Sequence, residues 1–169
     1  ADWVNSLGLT ISNVIEGFYT PPNGGRVPLH ADTSTIPGEN DICKLNFTWG
    51  PANSTTQWYR IKDESLLQTY YYDEEDANQK FYKAGIVPDI DISHVIFADL
   101  NDADLVHEVV VDKPSLLNIS QLHSTWNPSP TEHRWTLSFT LLENNKMLTF
   151  DRAMEIFKDY IEENISDEV

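Results

Sequence analysis

Two stretches of the chain alternate cleanly between apolar and polar positions. From Asp41 to Trp49, Cys43, Leu45, Phe47 and Trp49 fall on one face, and Ile42, Lys44, Asn46 and Thr48 on the other. From Arg134 to Leu142, the residues Arg134, Thr136, Ser138 and Thr140 share one face, and Trp135, Leu137, Phe139 and Leu141 share its opposite. A period of two is the signature of a β-strand. Shorter runs read as further strands: Ser12 to Thr20, Val27 to Asp32, Leu66 to Tyr72, Val95 to Leu100, Leu105 to Val111 and Ser115 to Leu122. The turn chemistry of Pro21-Pro22-Asn23-Gly24-Gly25 separates the first two. Thr56 to Lys62, after the turn GPANST, is expected to return beside Asp41 to Trp49 as a hairpin. The polar stretch 74–83 reads as a helical turn or a loop, and the first ten residues as a loose lead-in.

One segment has helical spacing. Asp151 to Asn164 carries Met154, Phe157, Tyr160 and Ile161 on one stripe, with Asp151 as the expected N-cap. Many short strands and a terminal helix imply a mainly β, single domain over residues 1–169, an antiparallel sandwich or open barrel. The polar faces are too rich in hydrogen-bonding groups for ordinary core. Their placement fits a barrel whose mouth holds a polar site, with the apolar faces packed on the helix or on a second sheet.

Composition narrows the function. Asp plus Glu number 27 against 11 Lys plus Arg, a formal net charge of −16. Nucleic acid and anionic membranes need cationic contacts, so neither is an expected partner. Cys43 is the one cysteine, which excludes an internal disulfide and points to a reducing, cytoplasmic setting (the host cytoplasm if the protein is viral). Four N-x-S/T sequons, at Asn46, Asn53, Asn118 and Asn164, read as chance, because no signal-peptide pattern opens the sequence.

Candidate chemistry starts at Arg26-Val27-Pro28-Leu29-His30-Ala31-Asp32. On a strand, His30 and Asp32 present an imidazole and a carboxylate on one face, which is half of a metal site. Of the other histidines, His133 must point away from Arg134, and His94 and His107 have no polar face beside them. His123 ends the run PSLLNISQLH, at the rim of a barrel, and Arg134 follows it by eleven residues across a Pro-containing turn. A buried arginine without an anion is costly, which is a reason to expect an acidic ligand beside it.

His30-x-Asp32, His123 and Arg134-x-Thr136, in this order and strand context, resemble the Fe(II)/2-oxoglutarate-dependent oxygenases, nearest the prolyl-4-hydroxylase-like and phage or bacterial members. The resemblance covers about residues 12–142 and implies a double-stranded β-helix, the jelly roll or cupin-like barrel. It implies that His30, Asp32 and His123 hold Fe(II), and that Arg134 and Thr136 anchor 2-oxoglutarate. Molecular oxygen is the cosubstrate and a peptidyl proline, an amino acid or another small molecule is hydroxylated. Two imidazoles and one carboxylate on one face of an octahedral ion leave three positions open, and a bidentate guanidinium suits a carboxylate. Asn46 and Thr48 are further candidates for the cosubstrate, and Trp58, Tyr59 and Trp126 for the substrate. The interval from Asp32 to His123 calls for an inserted segment, over about residues 63–94. Two other classes fit the same features: a jelly-roll module that binds a metal or acidic ligand without chemistry, and a purely structural β-protein of the kind found in viruses.

Overall fold

Side-chain alternation resolves into two antiparallel sheets. The computed structural model describes residues 2–33, 41–71 and 94–161. The first sheet has the order β1 (Thr10–Thr20), β11 (Arg134–Glu143), β4 (Cys43–Trp49) and β9 (Ser115–Asn118), with the short β12 (Lys146–Met147) on β11. The second has the order β6 (Gln68–Tyr71), β7 (His94–Phe97), β3 (His30–Thr33), β10 (His123–Asn127), β5 (Thr55–Ile61) and β8 (Ala103–Val110), with β2 (Gly25–Arg26) also on β10. The protein is therefore mainly β, as the alternation indicates.

The longest strands are inverted relative to an ordinary half-buried strand. On β11, Arg134, Thr136, Ser138 and Thr140 are buried, whereas Trp135 is 54% and Trp49, its neighbour on β4, is 53% exposed. The polar residues face the second sheet. Their cost in desolvation is met by cross-links between side chains: Thr48 and Thr136 hydroxyls at 3.1 Å, Ser138 Oγ to Asn46 Oδ1 at 2.6 Å, and Thr20 to Thr125 between the sheets at 2.9 Å.

On the other face, the apolar residues toward the far end from Trp49 and Trp135 pack on the helices. Cys43, Leu45 and Leu141 join Val4, Leu9, Leu148, Ala153 and Phe157 in one cluster. Each large apolar side chain buried there contributes about 1.5–3 kcal/mol. The N-terminal residues are thus part of the core rather than a loose lead-in: α1 (Asp2–Ser6) buries Val4, and Trp3 packs edge-on to Tyr160. The C-terminal helix, α2, spans Phe150–Phe157, and its N-cap is Thr149, whose hydroxyl accepts from the Arg152 amide, rather than Asp151. Ala153 and Phe157 carry its buried face, while Met154 and Tyr160 are exposed.

The expected hairpin does not form. β4 pairs with β11 and β9 in the first sheet, and β5 pairs with β10 and β8 in the second. The chain crosses between sheets over residues 50–54, through Gly50 at φ +145°. Turn residues mark a change of direction and do not say which sheet the chain enters next. The stretch expected as an insertion, 63–94, opens with a 3-10 turn at Glu64–Leu66 and then β6, which pairs with β7; β7 covers the outer edge of β3. The stretch 74–83 and the expected end of the C-terminal helix, 162–164, lie outside the described residues. No helix among the described residues is long and apolar enough to cross a membrane.

Candidate functional site

A cavity opens between the inner faces of the two sheets, and its atoms leave about 450 Å³ empty, open side included. The second sheet contributes His30 and Asp32 from β3, Thr56 from β5, and His123 and Thr125 from β10. The first contributes Lys44 and Asn46 from β4 and Arg134, Thr136 and Ser138 from β11. Register explains the meeting: His123 is directly opposite His30 on the neighbouring strand, and their rings stand 4.4 Å apart. Asp32, two residues on, faces the same way as His30.

Backbone carbonyls set the tautomer of both imidazoles. His30 Nδ1 lies 2.7 Å from Pro28 O and His123 Nδ1 2.9 Å from Gln121 O. A carbonyl only accepts, so each Nδ1 carries a hydrogen, which in a neutral ring makes Nε2 the lone-pair nitrogen. Such fixing of the far ring nitrogen is what orients imidazoles that ligate metals. His30 Nε2 stands 3.9 Å from Asp32 Oδ1. His123 is 9% exposed. Burial, assisted by the neighbouring His30, lowers its pKa to about 4, so the ring is neutral at physiological pH.

Asp32 does not stand alone with the imidazoles. Its Oδ2 accepts from Lys44 Nζ at 3.1 Å, and the same ammonium contacts Glu16 Oε2. Lys44 is 2% exposed. Burial opposes the Asp32 charge, but Lys44, His30 and His123 outweigh it and hold the carboxyl below its ordinary pKa. Burial likewise opposes the Lys44 charge, and Asp32 and Glu16 reverse that effect and raise its pKa. With the side chains as they lie, no group of three or more His, Cys, Asp or Glu among the described residues closes into a metal-holding cluster.

Arg134 is the anomaly of the cavity. It is 1% exposed, and its Nη2 donates to Thr56 Oγ1 at 3.1 Å. Its Nε and Nη1 are buried and meet no partner among the described residues. Burial lowers its pKa to about 10, which leaves it charged at neutral pH. Two unsatisfied donors on a buried cation cost several kcal/mol unless an anion meets them. The same cavity is also lined by Thr136, Ser138 and Asn46. The turn before Arg134 is held by the buried Asn127, whose Nδ2 donates to Thr20 O and Glu132 O, while its Oδ1 accepts from the Ser129 amide. His133 points the other way, onto the exposed Tyr19 hydroxyl at 2.6 Å.

The cavity thus gathers His30, Asp32, His123, Arg134, Thr136 and Asn46. Thr48 does not line it and bonds Thr136 instead. Trp58, Tyr59 and Trp126 do not line it either. Trp58 Nε1 donates to Asn118 O, and its ring packs with the apolar cluster of Ile42, Val111, Leu117, Ile119 and Met147. Trp126 lies under the Arg26 guanidinium, and the Tyr59 hydroxyl joins Arg26 and Gln57. Their aromatic character serves packing and a polar network away from the cavity.

Lys44, Glu16, Thr56 and Ser138 are site residues that motif reasoning passed over. The alternation already sets Lys44 on the face of Asn46, and a lysine on an inward face of a strand was the available signal. Glu16 gave a similar one, as the acid within the apolar strand 12–20. No protein-family model matches the chain, and no curated protein matches it either.

Proposed function

We propose that the protein is an Fe(II)- and 2-oxoglutarate-dependent oxygenase on a double-stranded β-helix. The observation that carries the reading is the convergence of His30, Asp32, His123 and an unsatisfied Arg134 on one cavity. Strand order supports the jelly roll. Numbered among themselves along the chain, β1, β3, β4, β5, β8, β9, β10 and β11 stand as first-eighth-third-sixth in one sheet and second-seventh-fourth-fifth in the other. That exchange of strands between facing sheets is the double Greek key of a jelly roll.

The donor set fits the group. His30 and His123 offer imidazole nitrogens and Asp32 a carboxylate oxygen, the two-imidazole, one-carboxylate set suited to Fe(II). Bound there, the metal supplies oxygen activation, coupling decarboxylation of 2-oxoglutarate to succinate with hydroxylation of the substrate. Arg134 receives the cosubstrate's far carboxylate on Nε and Nη1, and Thr136 adds a hydroxyl from the same strand face. The substrate class is a peptidyl proline, an amino acid or a small molecule, and the cytoplasm is the expected site of action; the charge of −16 disfavours nucleic acid.

A second reading, a jelly-roll module that binds an acidic ligand or a metal without chemistry, has one observation in its favour: the Lys44 ammonium already neutralises Asp32. Succinate release from 2-oxoglutarate, in the presence of Fe(II) and a panel of peptides and amino acids, separates the two. Stimulated release that His30→Ala and Arg134→Ala each abolish supports the oxygenase. Binding of metal and 2-oxoglutarate with no succinate across the panel supports the module.

A further inference from the structure

Lys44 reaches one carboxylate from each sheet: Glu16 on β1 and Asp32 on β3. The two oxygens of Asp32 are divided, Oδ2 toward the ammonium and Oδ1 toward His30. A divalent cation arriving at Asp32 meets a fixed positive charge a few ångströms away, in a setting where water screens little. Glu16, whose side chain is 28% exposed, gives that charge a second place to rest outside the cavity.

We propose that Lys44 is an internal counter-ion for the metal site: it holds Asp32 in the metal-free protein and cedes it to a divalent cation while Glu16 retains the ammonium. This rests on reading His30, Asp32 and His123 as metal ligands. Lys44 is then a positioning residue. It holds one oxygen of Asp32 in place before metal arrives, and Glu16 tunes the affinity without touching the ion.

Mn(II) binding to the full chain, followed by the paramagnetic resonance of free Mn(II), tests this. Lys44→Met removes the competitor and tightens binding by about tenfold or more; Glu16→Gln throws the ammonium back onto Asp32 and weakens it by a similar factor. The double variant binds as Lys44→Met does, because Glu16 acts only through Lys44. Weaker binding in Lys44→Met, or a Glu16→Gln effect that persists in the double variant, overturns the counter-ion and leaves the metal site standing. Absence of Mn(II) uptake that depends on His30, tested with His30→Ala, overturns both. If Lys44→Met does not fold, the wild-type chain labelled with 15N-lysine decides. The Lys44 ammonium resonance moves on saturation with Zn(II) if the proposal is right, and a resonance that stays in place overturns it.

Discussion

A β-carbon on Gly50 would fall 2.9 Å from the Cα of Arg134 and 2.9 Å from the carbonyl oxygen of His133. The crossing from the first sheet to the second therefore runs directly over the backbone that carries the buried guanidinium. Gly50 also has φ +145°, a conformation that side chains disfavour. Gly50→Ala is expected to destabilise the protein by about 1–3 kcal/mol, from backbone strain and the forced shift of its neighbour. Urea denaturation checks this. Because the shift falls on Arg134, the variant also binds 2-oxoglutarate more weakly, whereas Gly8→Ala, where φ is +77° but nothing lies within 4 Å, carries strain without that second loss.

Two of the buried donors of Arg134 meet no partner among the described residues. Arg134→Met replaces it with an apolar chain of similar length. Replacement of a buried charge by an apolar isostere is commonly neutral or stabilising, so the ligand-free variant is expected to lie within about 1 kcal/mol of wild type or above it. With Mn(II) already saturating, millimolar 2-oxoglutarate further raises the melting temperature of the wild type and adds much less to that of the variant. A variant that is both unstable and still protected would show that the guanidinium is structural.

The polar inner face of β11 was legible because Arg134, Thr136, Ser138 and Thr140 repeat at the strand period, and burial follows that period. His30 and Asp32 were legible for the same reason, and the topology then brings His123 opposite His30. Other features had no local signature. Whether β5 pairs with β4 depends on which sheet offers the better partner, a long-range fact that Gly50 and Pro51 do not encode. Trp58 and Trp126 are amphipathic rings that suit a groove or a core equally, and only their neighbours distinguish the two. The alternation puts Lys44 on the inward face, but its partners Asp32 and Glu16, 12 and 28 residues earlier, are fixed only by the tertiary fold. Asp151 and Thr149 are both good caps, and the long-range bridge of Thr149 to Ile42 holds Thr149 extended at the helix start.

Cys43 offers an independent check on the packing beneath the first sheet. It is fully buried among Val4, Leu9 and Phe157, and burial, with Asp41 nearby, pushes its thiol pKa up to about 12. A raised pKa means that the thiol stays protonated through neutral and mildly alkaline pH, and the thiolate is the reactive form. Native protein at pH 8 is therefore expected to be inert to a disulfide reagent, with one thiol per chain released only in denaturant. Rapid reaction of the native protein would place Cys43 at the surface and contradict the docking of the helices.

The central claim is that one cavity holds both a divalent metal and a 2-oxo dicarboxylate. Anaerobic addition of Fe(II), then of 2-oxoglutarate, reads this directly through the weak visible charge-transfer absorption of a 2-oxo acid chelated to the metal. The wild type is expected to colour only when both are present, His30→Ala to stay colourless, and Arg134→Ala to colour only at far higher 2-oxoglutarate. A wild-type solution that remains colourless at saturating concentrations of both would contradict the claim.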